Sequence, residues 1–161
     1  MTKQKKVLTR KGLSPIGKFQ HTYKQLWLWG TFSLITGHSF YWETPIVNNL
    51  IFEDYLKAYS ELEPKKLTII IVDNAGFHAT TNITIPKNII LLRIPPYTPE
   101  LNPAEKVWQW MKDRTAMKFY KDIRALQDKI TLLVENLKPK RIKSITNNDL
   151  YTILFSGTFL T

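Results

Sequence analysis

The hydrophobic pattern changes period several times along the chain, and each change marks an element. Lys24 to Ile35 (KQLWLWGTFSLI) is rich in aromatic and β-branched residues and reads as a strand, with Gly30 as a point where it could bend. Thr36-Gly37 signals a turn, and His38 to Glu43 (HSFYWE) returns as the second arm of a hairpin. From Asn48 to Leu62 the period becomes helical: Ile51, Phe52, Tyr55, Leu56, Tyr59 and Leu62 fall on one side, and Glu53, Asp54 and Lys57 on the other. Leu67 to Val72 (LTIIIV) and Asn88 to Ile94 (NIILLRI) are continuous apolar runs, the pattern of strands buried on both faces of a sheet. Gly76 to Pro86, between them, is polar and loop-like with room for a short helix.

Pro95 to Pro103 (PPYTPELNP) holds four prolines and predicts a stiff, extended connector, because proline cannot donate to a ladder and biases its predecessor away from helix. A helix then starts with Asn102 as N-cap and Pro103 in its first position, and Ala104, Val107, Trp108 and Met111 form its apolar stripe. Lys121 to Leu137 predicts another amphipathic helix, with Ile123, Leu126, Ile130, Leu133 and Leu137 in phase; the segment after Pro139 predicts a final short one. The order is hairpin, helix, strand, short element, strand, helix, helix, which points to a three-layer α/β domain. Residues 1–22 have no hydrophobic period and read as a basic lead-in to a domain over 23–161.

Composition narrows the classes. With 161 residues the chain can bury a core, and 43% hydrophobic and 12% aromatic residues exclude a disordered polymer. No apolar run approaches the roughly 18–20 residues that span a bilayer, and no signal-peptide pattern follows the basic start. Without cysteine there is neither a disulfide framework nor a thiolate metal site, which suits a reducing cytoplasm. The net charge of +10 favours a polyanionic partner, nucleic acid first. Its distribution adds more. Met1 to Trp42 has seven Lys or Arg and no acid; Glu43 to Glu105 has five basic and eight acidic residues; the remainder has eleven basic and five acidic. An acidic middle between basic flanks suits a metal centre within a phosphate-binding surface, although a merely basic protein would look similar.

Two carboxylates stand out. Asp73 follows directly on LTIIIV, and ligands of open α/β sheets bind beyond the carboxyl ends of strands, where a carboxylate can hold a hard cation such as Mg²⁺. Asp-Asn-Ala-Gly could equally be a plain turn. Glu105 lies three residues behind Asn102, where a capping box would account for it fully. His78 reads as a proton carrier, a DNA contact or a structural hydrogen-bonding residue. Trp108 reads as packing, and Trp110, off the apolar stripe, as cover for a neighbouring element.

Together, VDNAGFH and IPPYTPELNPAEKVW within Ile71 to Arg114 resemble the catalytic domain of bacterial insertion-sequence transposases of the mariner-like superfamily, which carry an Asp-Asp-Glu triad. Ile94 stands where that family usually shows Leu. QLWLWGTFSLITG resembles the family's second and third strands, and RIKSIT its carboxy-terminal helix. The resemblance implies an RNase H-like fold, a mixed sheet flanked by helices. It places the second catalytic Asp on Asp73 and the catalytic Glu on Glu105. Two Mg²⁺ (or Mn²⁺) ions between the carboxylates would activate water or a DNA 3′-hydroxyl and stabilise the leaving oxygen, in cleavage and strand transfer. DNA, as transposon ends and target, is the implied partner, with Lys106, Lys112, Arg114 and His78 as candidate contacts. A solvated basic helix face is the alternative for those cations.

The first Asp of the triad belongs on the first strand, upstream of the hairpin, yet nothing before Glu43 is acidic. The expectation is therefore an amino-terminally truncated domain with its first strand missing, an unpaired apolar edge on Lys24 to Ile35, and little activity alone. The expected partners are a separate amino-terminal product supplying the helix-turn-helix and first Asp, and a second copy in a homodimer, in the cytoplasm at the nucleoid. A decayed remnant and a non-catalytic DNA-binding or regulatory module are the other readings.

Overall fold

The computed structural model describes residues 25–73, 82–96, 98–116, 118–147 and 151. The hairpin is formed by β1 (Trp27–Phe32) and β2 (Ser39–Thr44), antiparallel with Trp29 opposite Trp42. Its turn needs glycine: Gly37 has φ +76°, and a Cβ there would strike the backbone of Pro139. Helix α1 (Asn49–Leu62) follows, with the Asn48 side chain accepting from the Ile51 amide at 2.8 Å as N-cap. The strands β3 (Thr68–Val72) and β4 (Ile89–Arg93) pair in parallel, and the Ile94 amide donates to the Val72 carbonyl to carry the ladder one step further. Then come α2 (Pro103–Thr115), α3 (Ile123–Asn136) and α4 (Pro139–Thr146).

Among the described residues the four strands form two separate two-stranded sheets. Helix α1 unites them. Its Phe52, Tyr55 and Leu56 share one core with Trp29 of β1, Ile70 and Val72 of β3 and Ile89 of β4. The Trp29 ring stacks on Phe52 and Tyr55 at 6.0 and 5.6 Å, contacts worth about 0.5–1.5 kcal/mol each beyond their buried area. Its indole N–H is satisfied by the Thr44 hydroxyl at 2.9 Å. The start of β4 is tied to the end of α1 through Asn88, which accepts from the Ser60 hydroxyl at 2.6 Å and donates to the Ser60 carbonyl at 3.2 Å.

The opposite face of the hairpin, Leu28, Phe32 and Tyr41, packs on a second core built from Val107 and Met111 of α2, Leu133 and Leu137 at the end of α3, and Ile142 of α4. Among the described residues the hairpin thus lies between helices on both sides, and β3 and β4 do not. Parallel register puts Ile69 beside Ile90 and Ile71 beside Leu92 on one face, and Ile69, Ile90 and Leu92 are each about half exposed. The expectation that both apolar runs are buried on both faces is therefore corrected. A continuous run of Ile and Leu fixes strand propensity, but cover comes from other elements, and α2 to α4 follow the hairpin.

Two further expectations change. The proline-rich connector is not extended throughout: Pro99–Leu101 makes a 3₁₀ turn, closed by the Leu101 amide on the Thr98 carbonyl at 3.0 Å, since the φ fixed by proline suits a tight turn as well as an extended chain. Residues 82–86, the described end of the loop-like segment, contain no helix; its earlier part lies outside the described residues, as does the basic lead-in. No helix among the described residues is long and apolar enough to cross a membrane.

Candidate functional site

Asp73 is the first residue after β3 and is half-buried, its position fixed by a ladder that runs one residue past the strand. Glu105 occupies the first turn of α2, whose N-cap is Asn102; the Asn102 side chain accepts from the Ala104 amide at 3.1 Å. A capping box would need the Glu105 carboxylate on the Asn102 amide. Among the described residues that carboxylate accepts no hydrogen bond and joins no ion pair, so the box is not formed and Asn102 caps alone. Glu105 is half-buried in the first turn of α2.

The helix bearing Glu105 is set against the sheet through Trp108. This ring lies over Gly30, where a Cβ would stand 2.7 Å from its Cη2, and meets Phe32 edge to face at 5.3 Å. The packing role expected for Trp108 is observed. Trp110 also acts as expected of a residue off the stripe, reaching toward α4: the Arg114 guanidinium sits 3.9 Å and that of Arg141 5.7 Å from its ring.

The basic candidates on α2 divide. Lys106 donates to the Asn147 carbonyl at 2.7 Å, bracing the end of α4. Lys112, two turns from Glu105, is exposed on the same side of the helix. Arg114 stacks on Trp110 and donates to its carbonyl at 3.1 Å. His78 lies outside the described residues. Arg141 and its basic neighbours on α4 received no role from the sequence, although the run KPKRIK was there to be read.

Asp73 and Glu105 are hard oxygen donors of the kind divalent ions such as Mg²⁺ prefer. They fit a metal in type but are short in number, since among the described residues no group of three or more His, Asp or Glu could hold an ion.

This is a mixed α/β chain with one carboxylate at a strand end and another at a helix start. It belongs to the DDE superfamily endonucleases, whose family model matches residues 1–127. A Sinorhizobium fredii protein described as "Uncharacterized protein y4pE/y4sA" is 51% identical over 45 residues, 28% of this chain and 33% of that protein. The chain thus spans about a third of the length of that relative. No solved structure matches.

Proposed function

We propose that residues 23–161 form the RNase H-like catalytic domain of an insertion-sequence transposase of the mariner-like branch, with Asp73 and Glu105 as two of its three metal-binding carboxylates. The observation that carries this is the Glu105 carboxylate: it stands at the start of α2 with no hydrogen bond or ion pair among the described residues, so capping does not explain it. The family match supports the chemistry. Bound between these side chains, Mg²⁺ or Mn²⁺ would supply charge neutralisation at phosphorus and an acidified water or 3′-hydroxyl. The chain's own part is to hold Asp73 at the end of a ladder and Glu105 on a helix wedged against β1, and to bring DNA to both.

The hairpin and the parallel pair are, in this reading, two parts of one sheet. They share the α1 core, and among the described residues β1 pairs only with β2 and β3 only with β4. A further strand carrying the first Asp would join them. Since residues 1–42 contain no acid, that carboxylate must come from another segment or chain.

The test is calorimetric and enzymatic. The 161-residue chain should bind Mn²⁺ weakly, and lose that binding in Asp73→Ala and in Glu105→Ala. Cleavage of DNA bearing transposon ends should be negligible for the chain alone. It should appear on mixing with a polypeptide that supplies an apolar strand bearing Asp. Robust Mg²⁺-dependent cleavage by the chain alone, or activity that survives Glu105→Gln in the mixture, would overturn the assignment.

A further inference from the structure

Helix α4 and the segment leading to it lie beyond residues 1–127, the span the family model matches. Its sequence is unusual: KPKRIK places Lys138, Lys140, Arg141 and Lys143 within six residues, and no acid occurs between Glu135 and Asp149. The fold turns Ile142 and Thr146 inward and leaves all four cations exposed. None of the four joins an ion pair among the described residues, whereas Lys57 and Lys66 on the α1 side pair with Glu53, Asp54 and Glu63.

Exposed lysines alone would be an ordinary solvated face. The indole of Trp110 makes this one different. Two guanidiniums, from Arg114 and Arg141 on separate helices, converge on the same ring within cation–π range. Arg114 is held twice, by the ring and by its hydrogen bond to the Trp110 carbonyl. A stacked guanidinium loses little further freedom when its remaining N–H groups meet a planar or tetrahedral oxyanion, which suits phosphate better than a mobile ammonium does.

The orientation of α4 gives the cluster a direction. Its carboxyl end meets the first turn of α2, where Lys106 beside Glu105 donates to the Asn147 carbonyl. Nearer its start, Arg141 meets Trp110, and Pro139 packs on the Gly37 turn. The two helices therefore run antiparallel, with Arg141 on the flank of α4 that faces Trp110 and the other cations exposed around the same helix.

We propose that the shared surface of α2 and α4 is a backbone-binding site for duplex DNA. Arg114 and Arg141 on Trp110 clamp a phosphate there, and the exposed Lys138, Lys140 and Lys143 add positive charge around it. The site rests on the transposase reading only for the nature of the polyanion; its residues are different from the metal-binding pair.

The experiment is fluorescence anisotropy with the full chain and a random-sequence labelled duplex, across a salt series and in chelator, so that metal binding plays no part. Lys140→Ala/Arg141→Ala/Lys143→Ala should weaken binding at least about tenfold and flatten the log–log salt slope by about 2–3. The control Lys57→Ala/Lys65→Ala/Lys66→Ala removes the same charge from the α1 side and should change little. Arg114→Lys/Arg141→Lys keeps the charge and should lose affinity while nearly keeping the slope, separating a guanidinium clamp from general attraction; circular dichroism confirms folding of each variant. Wild-type affinity and slope in the α4 triple variant would overturn the proposal, as would an equal effect from the control. So would polyglutamate binding as tight as DNA at the same salt, which would make the surface a general polyanion site. Because no divalent ion is present, failure here leaves the Mn²⁺ result on Asp73 and Glu105 standing, and failure there leaves this one.

Discussion

Gly30→Ala probes how the helix carrying Glu105 is set on the sheet. The new methyl carbon would stand 2.7 Å from Cη2 and 3.0 Å from Cζ2 of Trp108, and 3.0 Å from Cζ of Phe32. Carbons in contact settle at about 3.5–4.0 Å, so the methyl intrudes by several tenths of an ångström on two rings already packed edge to face. Trp108 has little room to yield, because it is wedged against the core formed by Val107, Met111 and Leu133. Overpacking of this kind costs about 1–3 kcal/mol. Against it, alanine in a strand is favoured over glycine by about 0.5–1 kcal/mol. The net loss is about 1–2 kcal/mol, or about 2–8 °C in melting temperature for a chain of this size. The assay is thermal unfolding of Gly30→Ala, Trp108→Leu and the double variant. Trp108→Leu should destabilise by itself, and adding Gly30→Ala to it should cost clearly less than in the parent, because only the 3.0 Å approach to Phe32 remains. Since Trp108 lies within a turn of Glu105, Gly30→Ala should also weaken Mn²⁺ binding. A Gly30→Ala chain melting at or above the parent temperature, or an equal cost on both backgrounds, would refute this account of the contact.

Two other expectations follow from buried phenols. Among the described residues the Tyr41 hydroxyl is buried and near Ser39 but forms no well-aligned hydrogen bond, so Tyr41→Phe should leave stability unchanged or raise it by up to about 1 kcal/mol; a clear calorimetric loss would reveal a partner. Burial raises the pKa of Tyr55 well above its ordinary value, and those of Tyr41 and Tyr59 as well. The unfolded chain would release these protons near pH 10 while the folded chain keeps them, so stability is complete below about pH 10 and falls as pH rises toward the folded values. Melting temperature should be flat toward pH 10 from below and then decline, with tyrosinate absorbance appearing as the chain unfolds; unchanged melting through about pH 11 would contradict it.

Every described α-helix and strand was legible in the sequence, because each rests on local periodicity and on caps that act within one turn; the 3₁₀ turn at Pro99–Leu101 was not. Asn102 is the N-cap that its position predicted, Asn48 caps the helix whose period starts there, and Gly37 turns the hairpin. What the sequence left open depends on contacts between distant segments. The capping box at Glu105 was a sound inference from spacing, yet Asn102 satisfies the Ala104 amide without it. Arg114 could be named as a candidate cation, but its pairing with Arg141 across Trp110 requires α4 to lie antiparallel on α2, which no local pattern encodes.

The uneven layering bears on the proposed strand. Ile69, Ile71, Ile90 and Leu92 line up in register on the face of β3 and β4 that α1 does not cover, and three of them are about half exposed. A face meant for water would alternate apolar and polar residues, as antiparallel sheets commonly do. These strands do not alternate, and a contiguous aliphatic patch on an otherwise strongly cationic chain marks a surface that gains from being covered. The composition of β3 and β4 is thus matched to more cover than the described residues supply. Asp73 lies where that uncovered pair ends. On the proposed function, a segment that brought a further carboxylate to Asp73 would arrive beside this apolar face and would gain from covering it.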